Sequence, residues 1–209
     1  MVGSPHSNPT DRTSDSTPPI RRVLLVHGIF DTGRIFAAMS RELERRGWIC
    51  HAPTLRPRGG LRPLEHWAEQ LARVAESEIP ATEKFHLVGF SMGGMVSRFF
   101  VQRLGGGARL GRLVTISTPH HGSRVALLLA TPGSRQLRPQ SDFIRDLNTD
   151  VDTLARYNFT SLWTRFDLMV VPARSSVIAP ARCVELRVPL HALMVRDRRA
   201  ITAVVEALS

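Results

Sequence analysis

The sequence predicts an α/β domain built on a mostly parallel, six-stranded sheet with helices on both faces. Two patterns predict it. Short apolar runs alternate along the chain with stretches of helical spacing, and at Gly89-Phe90-Ser91-Met92-Gly93 one such run passes into a helix through a turn that isolates a serine between glycines. A length of 209 residues supports one substantial core and is too short for two comfortable domains.

Six segments have the length and β-propensity of buried strands: Arg22–Val26, Trp48–Cys50, Phe85–Val88, Leu113–Ile116, Phe159–Trp163 and Cys183–Val188. Between them lie helix candidates with recognisable stops. Ile35–Arg46 is closed by Gly47, Leu64–Ser77 ends before Pro80, Gly93–Leu104 runs into three glycines, and Asp197–Leu208 closes the chain. Ser141–Leu147 is a shorter candidate. Residues 1–19, rich in Ser, Thr, Pro and Asp, are expected to form a disordered tail, and residues 20–209 the domain. That tail lacks the apolar centre of a secretory signal, so the expectation is a cytoplasmic protein, or a secreted one if a leader has been removed.

Hydrophobic residues make up 43% and charged residues 22%, a balance that excludes a collagenous or wholly disordered chain. No apolar run approaches the ~20 residues needed to cross a bilayer. Cys50 and Cys183 each fall in an expected core strand, where a small apolar thiol is the expected role. The formal charge is +10, and every basic residue except Lys84 is arginine. Because the arginines are spread along the sequence without a block or interleaved aromatics, they read as solvated faces. Nucleic acid is therefore not an expected partner, whereas weak contact with an anionic membrane surface is compatible with the charge. The protein is expected to be a monomer.

Strand, sharp turn and helix around Ser91 would hold its hydroxyl above the sheet in a strained conformation that small neighbours permit. A serine hydroxyl is a poor nucleophile at neutral pH and needs a base, oriented in turn by an acid. In folds with this elbow those groups follow in the order Ser, Asp or Glu, His. His120 and His121 come too early to follow an acid from a later strand, which leaves His191, just past the last expected strand. The acid candidates are Asp142, Asp146, Asp150, Asp152, Asp167 and Glu185; Asp167 alone directly follows a strand. Donors for a developing oxyanion are expected from the Met92 N–H and from the loop Val26-His27-Gly28-Ile29-Phe30-Asp31, through Ile29 with Phe30 as the second candidate.

On these residues the chain resembles the α/β-hydrolase superfamily, and within it the small bacterial triacylglycerol lipases of minimal, lidless type. The matching stretches are His27-Gly28-Ile29, Gly89-Phe90-Ser91-Met92-Gly93-Gly94, Thr118-Pro119-His120-His121-Gly122, Asp167 with Leu168-Met169-Val170, and His191. The resemblance implies Ser91, Asp167 and His191 as a triad and Ile29 with Met92 as an oxyanion hole. It also leads one to expect a glycine near His191, where Leu190 stands instead. His120 and His121 have no catalytic place in that template and read as loop structure or pocket rim.

The stretch from Thr118 to Asn158 offers a rim, not a cap domain. Leu127, Leu128 and Leu129, with Phe30 and Met92, either line an apolar acyl groove or pack against the sheet. The expected function is a serine carboxylester hydrolase of lipase or esterase type acting on uncharged acyl esters or lipids. Its chemistry calls for no metal or organic cofactor, and paired cysteines or a His-Glu-x-x-His signature are not seen. An acyltransferase or thioesterase could use the same groups, and a non-catalytic binding protein could retain the fold.

Overall fold

The structure, a computed structural model, describes residues 21–209. The tail expected over 1–19 lies outside the described residues, as does Ile20. Six strands form one sheet: β1 (Arg22–Val26), β2 (Ile49–His51), β3 (Phe85–Phe90), β4 (Leu110–Ile116), β5 (Thr160–Trp163) and β6 (Arg182–Glu185). Their order is β2-β1-β3-β4-β5-β6 and every adjacent pair is parallel. Parallel neighbours require crossovers, which here carry helices α1 (Ala37–Arg45), α2 (Leu64–Glu78), α3 (Met92–Arg103), α4 (Pro132–Gln136) and α5 (Asp142–Thr149); α6 (Arg198–Leu208) follows β6.

Strand alternation divides the core in two. Leu24 and Val26 of β1 and Phe85 and Leu87 of β3 face α2, α3 and α5. Val23, Leu25, Val88 and Phe90 point the other way, onto α1 and α6. Both faces of β1 are covered, which is why Val23–Val26 is an uninterrupted hydrophobic run and not an alternating pattern.

Helix starts follow capping chemistry. Ser141 accepts from the Ile144 N–H ahead of α5, and Asp197 accepts from the Arg199 N–H ahead of α6, so both expected first residues are caps. The expected Ile35–Arg46 helix instead opens with a 3₁₀ turn at Gly33–Phe36 before α1. The last expected strand is shorter than its apolar pattern, and its side chains are largely exposed because β6 is an edge. Cys183 is consequently exposed, contrary to the expectation of a core thiol, while Cys50 is half-buried and its thiol is pushed up to about 12 by burial. The two lie on strands at opposite edges of the sheet, too far apart to pair.

In an all-parallel sheet every strand ends on the same edge. The loops that follow β1, β2, β3, β4, β5 and β6 therefore converge, and all the expected site residues lie in them or at the first turn of α3.

Candidate active site

Ser91 is the single residue between β3 and α3, with φ 54° and ψ −125°. A non-glycine residue there costs on the order of 1–3 kcal/mol, and the neighbourhood over-determines it. The Ser91 N–H donates to Ile116 O of β4 at 2.8 Å, and the Ser91 carbonyl accepts from the Gly94 N–H at 3.0 Å. A Cβ on Gly89 would lie 2.5 Å from Gly94 Cα, and one on Gly93 would overlap the Val26 carbonyl. Both glycines are thus required by close backbone approach, the first of helix to strand and the second of helix to β1.

Asp167 and His191 come together from loops 24 positions apart. Nδ1–H of His191 donates to Asp167 Oδ2 at 2.7 Å, and Oδ1 of the same carboxylate accepts from the Met169 and Val170 N–H groups at 2.9 and 2.8 Å. Asp167 is 5% exposed. Burial by itself would raise its carboxyl, but the hydrogen bond and charge of His191 and the two amides outweigh that and hold it below its ordinary value. The other candidate acids are occupied elsewhere: Asp142 pairs with Arg145, Asp146 and Asp150 with Arg103, and Glu185 with Arg165. Asp152 is exposed beyond α5.

Phe90, next to Ser91, packs its ring 4.8 Å from the His191 imidazole, so base and serine flank one aromatic side chain. Among the described residues the Ser91 hydroxyl makes no hydrogen bond; in ligand-free sites the nucleophile–base contact commonly tightens only with substrate. Leu190, where a glycine was expected, has φ −142° and ψ 146°. That is ordinary extended backbone, so no glycine is needed.

The loop after β1 is held by His27, a residue to which the sequence pattern alone assigned no task. Its buried ring donates through Nδ1 to Gly28 O at 2.8 Å and accepts through Nε2 from the Leu55 N–H at 2.9 Å, stapling this loop to the one after β2. Burial lowers its pKa, which keeps the ring neutral and able to accept. Gly28 lies against the nucleophile: a Cβ on it would be 3.3 Å from Ser91 Cβ and 2.6 Å from Asp31 Oδ2. Among the described residues neither the Ile29 nor the Met92 N–H donates to any acceptor, and the same holds for Phe30. Asp31, also unassigned by the sequence, brings a half-buried carboxylate beside Gly28; burial raises it, opposed by His27, His191 and Arg196.

His120 is fully buried, between Thr115 Oγ1 at 3.1 Å and Arg98 at 3.3 Å. Arg98 itself is a buried cation on α3, satisfied by Leu147 O at 2.6 Å and Asn148 Oδ1 at 3.0 Å, and it ties the helix behind Ser91 to α5. His120 is therefore loop structure. His121 is exposed, with Val177 O 3.2 Å from its Nε2. Phe30, Leu127 and Leu128 stand in solvent and do not pack on the sheet, whereas the Met92 side chain is buried in the core and lines no open groove.

The sequence profile described as "Alpha/beta hydrolase family" matches residues 23–206. No curated protein matches by sequence. Among solved structures, the mature form of a Bacillus licheniformis lipase, BlEst2, is similar at 15% identity with a TM-score of 0.76, covering 95% of this chain and 96% of that one. A pyrethroid hydrolase of Sphingobium faniae JZ-2 is similar at 17% identity and TM-score 0.60, covering 90% and 97%. Aspergillus fumigatus lipase B is similar at 18% and 0.73, covering 90% of this chain and 52% of that one. The profile match spans nearly the whole described chain, over the same parallel sheet and strand-to-helix turn: the chain belongs to the alpha/beta hydrolase family.

Proposed function

We propose that this protein is a serine carboxylester hydrolase, of lipase or esterase type, that splits uncharged acyl esters through an acyl-enzyme. The observation that carries the reading is the 2.7 Å Asp167–His191 hydrogen bond at the strand edge where Ser91 sits at φ 54°. Structural likeness to two lipases and a pyrethroid hydrolase supports ester chemistry.

In this reading Ser91 Oγ attacks the ester carbonyl while His191 Nε2 takes its proton. Asp167 holds Nδ1–H and stabilises the imidazolium without accepting the proton itself. The carbonyl oxygen becomes negative and is received by the free amides of Met92 and Ile29, the former at the start of α3 where the helix dipole helps. His191 then returns the proton to the leaving alcohol, the C–O bond breaks, and a water activated by the same imidazole releases the acid and restores Ser91. Exposed Phe30, Leu127 and Leu128 provide apolar cover for the acyl chain, with no charged anchor among them.

Labelling with a fluorophosphonate tests this. Stoichiometric modification of the wild-type chain, lost in Ser91→Ala, is the expected result. Labelling that persists in Ser91→Ala, or none in either protein, overturns the reading.

A further inference from the structure

The five loops at the carboxyl edge of the sheet, residues 28–36, 52–63, 117–140, 164–176 and 186–196, hold an unusual share of the molecule's surface chemistry. They contain eleven arginines and only two carboxylates, Asp31 and Asp167, a formal +9 against +10 for the entire chain. Of those two acids, one is buried and bonded to His191 and the other is half-buried beside Gly28. The same loops carry nine of the eleven exposed large hydrophobic side chains among the described residues.

Arg165 lies on Glu185, and Arg138 is used by the carbonyls of Ala126 and Leu129. By contrast Arg34, Arg58, Arg62, Arg124, Arg187 and Arg196 are exposed and, among the described residues, form no ion pair, although Arg196 lies within the field of Asp31 and Arg187 within that of Glu185. Interleaved with them stand Leu61, Leu128, Phe166, Leu168 and Leu190, of which Leu128 is 83% and Leu168 72% exposed. Protruding apolar tips raise the free energy of a monomer in water and gain only by entering an apolar phase.

We infer that this arginine-and-leucine edge is a docking surface for an anionic lipid bilayer, presenting the mouth of the proposed site to the acyl region. The inference rests on the hydrolase reading only for what happens after docking; binding itself does not require Ser91. Charge complementarity selects the occupant. A bilayer supplies negative headgroups at the level of the arginines and hydrocarbon beneath them for the leucines. A nucleic acid would meet the arginines but leave Leu61, Leu128, Leu168 and Leu190 in water, and Phe30 and Phe166 are the only phenyl rings exposed there for stacking. A second copy would set +9 against +9.

The test is vesicle co-flotation of the full-length Ser91→Ala chain, which removes turnover. Vesicles of phosphatidylcholine alone are compared with vesicles in which about a third is phosphatidylglycerol. Partitioning is expected to rise at least about tenfold with the anionic lipid and to fall several-fold between low and high salt. Arg62→Gln/Arg187→Gln/Arg196→Gln is expected to remove most of the anionic preference. Phe166→Ser/Leu168→Ser, whose polar replacements cannot enter hydrocarbon, is expected to weaken binding to both vesicles. Equal partitioning to the two vesicles, or no flotation, overturns the inference. So does salt-sensitive binding unaffected by Phe166→Ser/Leu168→Ser, which would mark a polyanion site, or a sedimenting dimer that these substitutions dissolve. Should fluorophosphonate fail to label Ser91 while flotation succeeds, the docking surface stands and the hydrolase reading falls.

Discussion

The Asp167 carboxylate uses both oxygens at once, Oδ2 on His191 Nδ1 at 2.7 Å and Oδ1 on two consecutive backbone amides. An acid so anchored cannot swing away, so the imidazole it holds has one tautomer and one orientation.

Ser91→Ala and His191→Ala are expected to lower kcat for a dissolved ester by about 10⁵–10⁶, and Asp167→Asn by about 10⁴, because the acid orients the base without exchanging protons. Thermal unfolding of Ser91→Ala should match the wild type, since alanine adopts the same positive φ at the same cost and no cavity opens. Steady-state kinetics with an aryl ester checks the order. Wild-type kcat/KM in Asp167→Asn would show that the acid lies elsewhere.

Asp31 places a carboxylate where it faces His27, His191 and Arg196, next to Gly28 and the nucleophile. Asp31→Asn, which removes this carboxylate and keeps the side chain's size, is expected to change kcat/KM at neutral pH by less than about tenfold. Steady-state kinetics checks it, and a loss of about 10³ or more would show that Asp31 takes part in the chemistry directly.

Buried histidines make stability depend on acid. His86 is 4% exposed, packs against Trp48, leaves Nδ1 without a partner among the described residues, and is lowered to about 4 by burial and Arg112. His27 and His120 are lowered for the same chief reason, burial. With folded values below unfolded ones, the unfolded chain binds more protons, so stability is complete above about pH 6.5 and is lost as pH falls toward about 4. His86→Leu removes one of these groups and is expected to flatten the fall in Tm between pH 7 and 4.5. An unchanged slope would mean that His86 takes up its proton in the folded chain as readily as in the unfolded one.

The acyl cover is shallow because Phe30, Leu127 and Leu128 are all more than half exposed. Each buried CH₂ adds about 0.8 kcal/mol only while it finds cover, so kcat/KM on dissolved aryl esters should climb over short chains and level off by medium length. Leu128→Ser should leave acetyl ester turnover nearly unchanged and lower that of an octanoyl ester several-fold. Rates that keep climbing to sixteen carbons would reveal a deeper groove.

The elbow was legible because its demands fall on consecutive residues: an apolar strand, a serine that must take positive φ, and glycines where helix and strand touch. Leu190 misled for the opposite reason, since side-chain identity does not reveal that the residue before His191 is extended. Cys183 was expected in the core because its apolar neighbours match a buried strand, and only sheet order shows that β6 is an edge. His27 and Arg98 went unassigned because the groups that satisfy them, Leu55 and the Leu147–Asn148 backbone and side chain, lie 28 to 50 positions away.

By itself the sequence determined the α/β class, the number of strands and their succession along the chain, and a short roster of candidate groups, because periodicity and turn sterics act between near neighbours. Tertiary structure decided which acid meets which histidine and what the charge is for. Arginines spread from Arg34 to Arg196 look like ordinary solvated residues in the chain, yet six parallel strands deliver their loops to one edge and gather nearly all the net charge there. Hydrogen bonds and Coulomb interactions depend on distance in space, and only the folded sheet sets those distances.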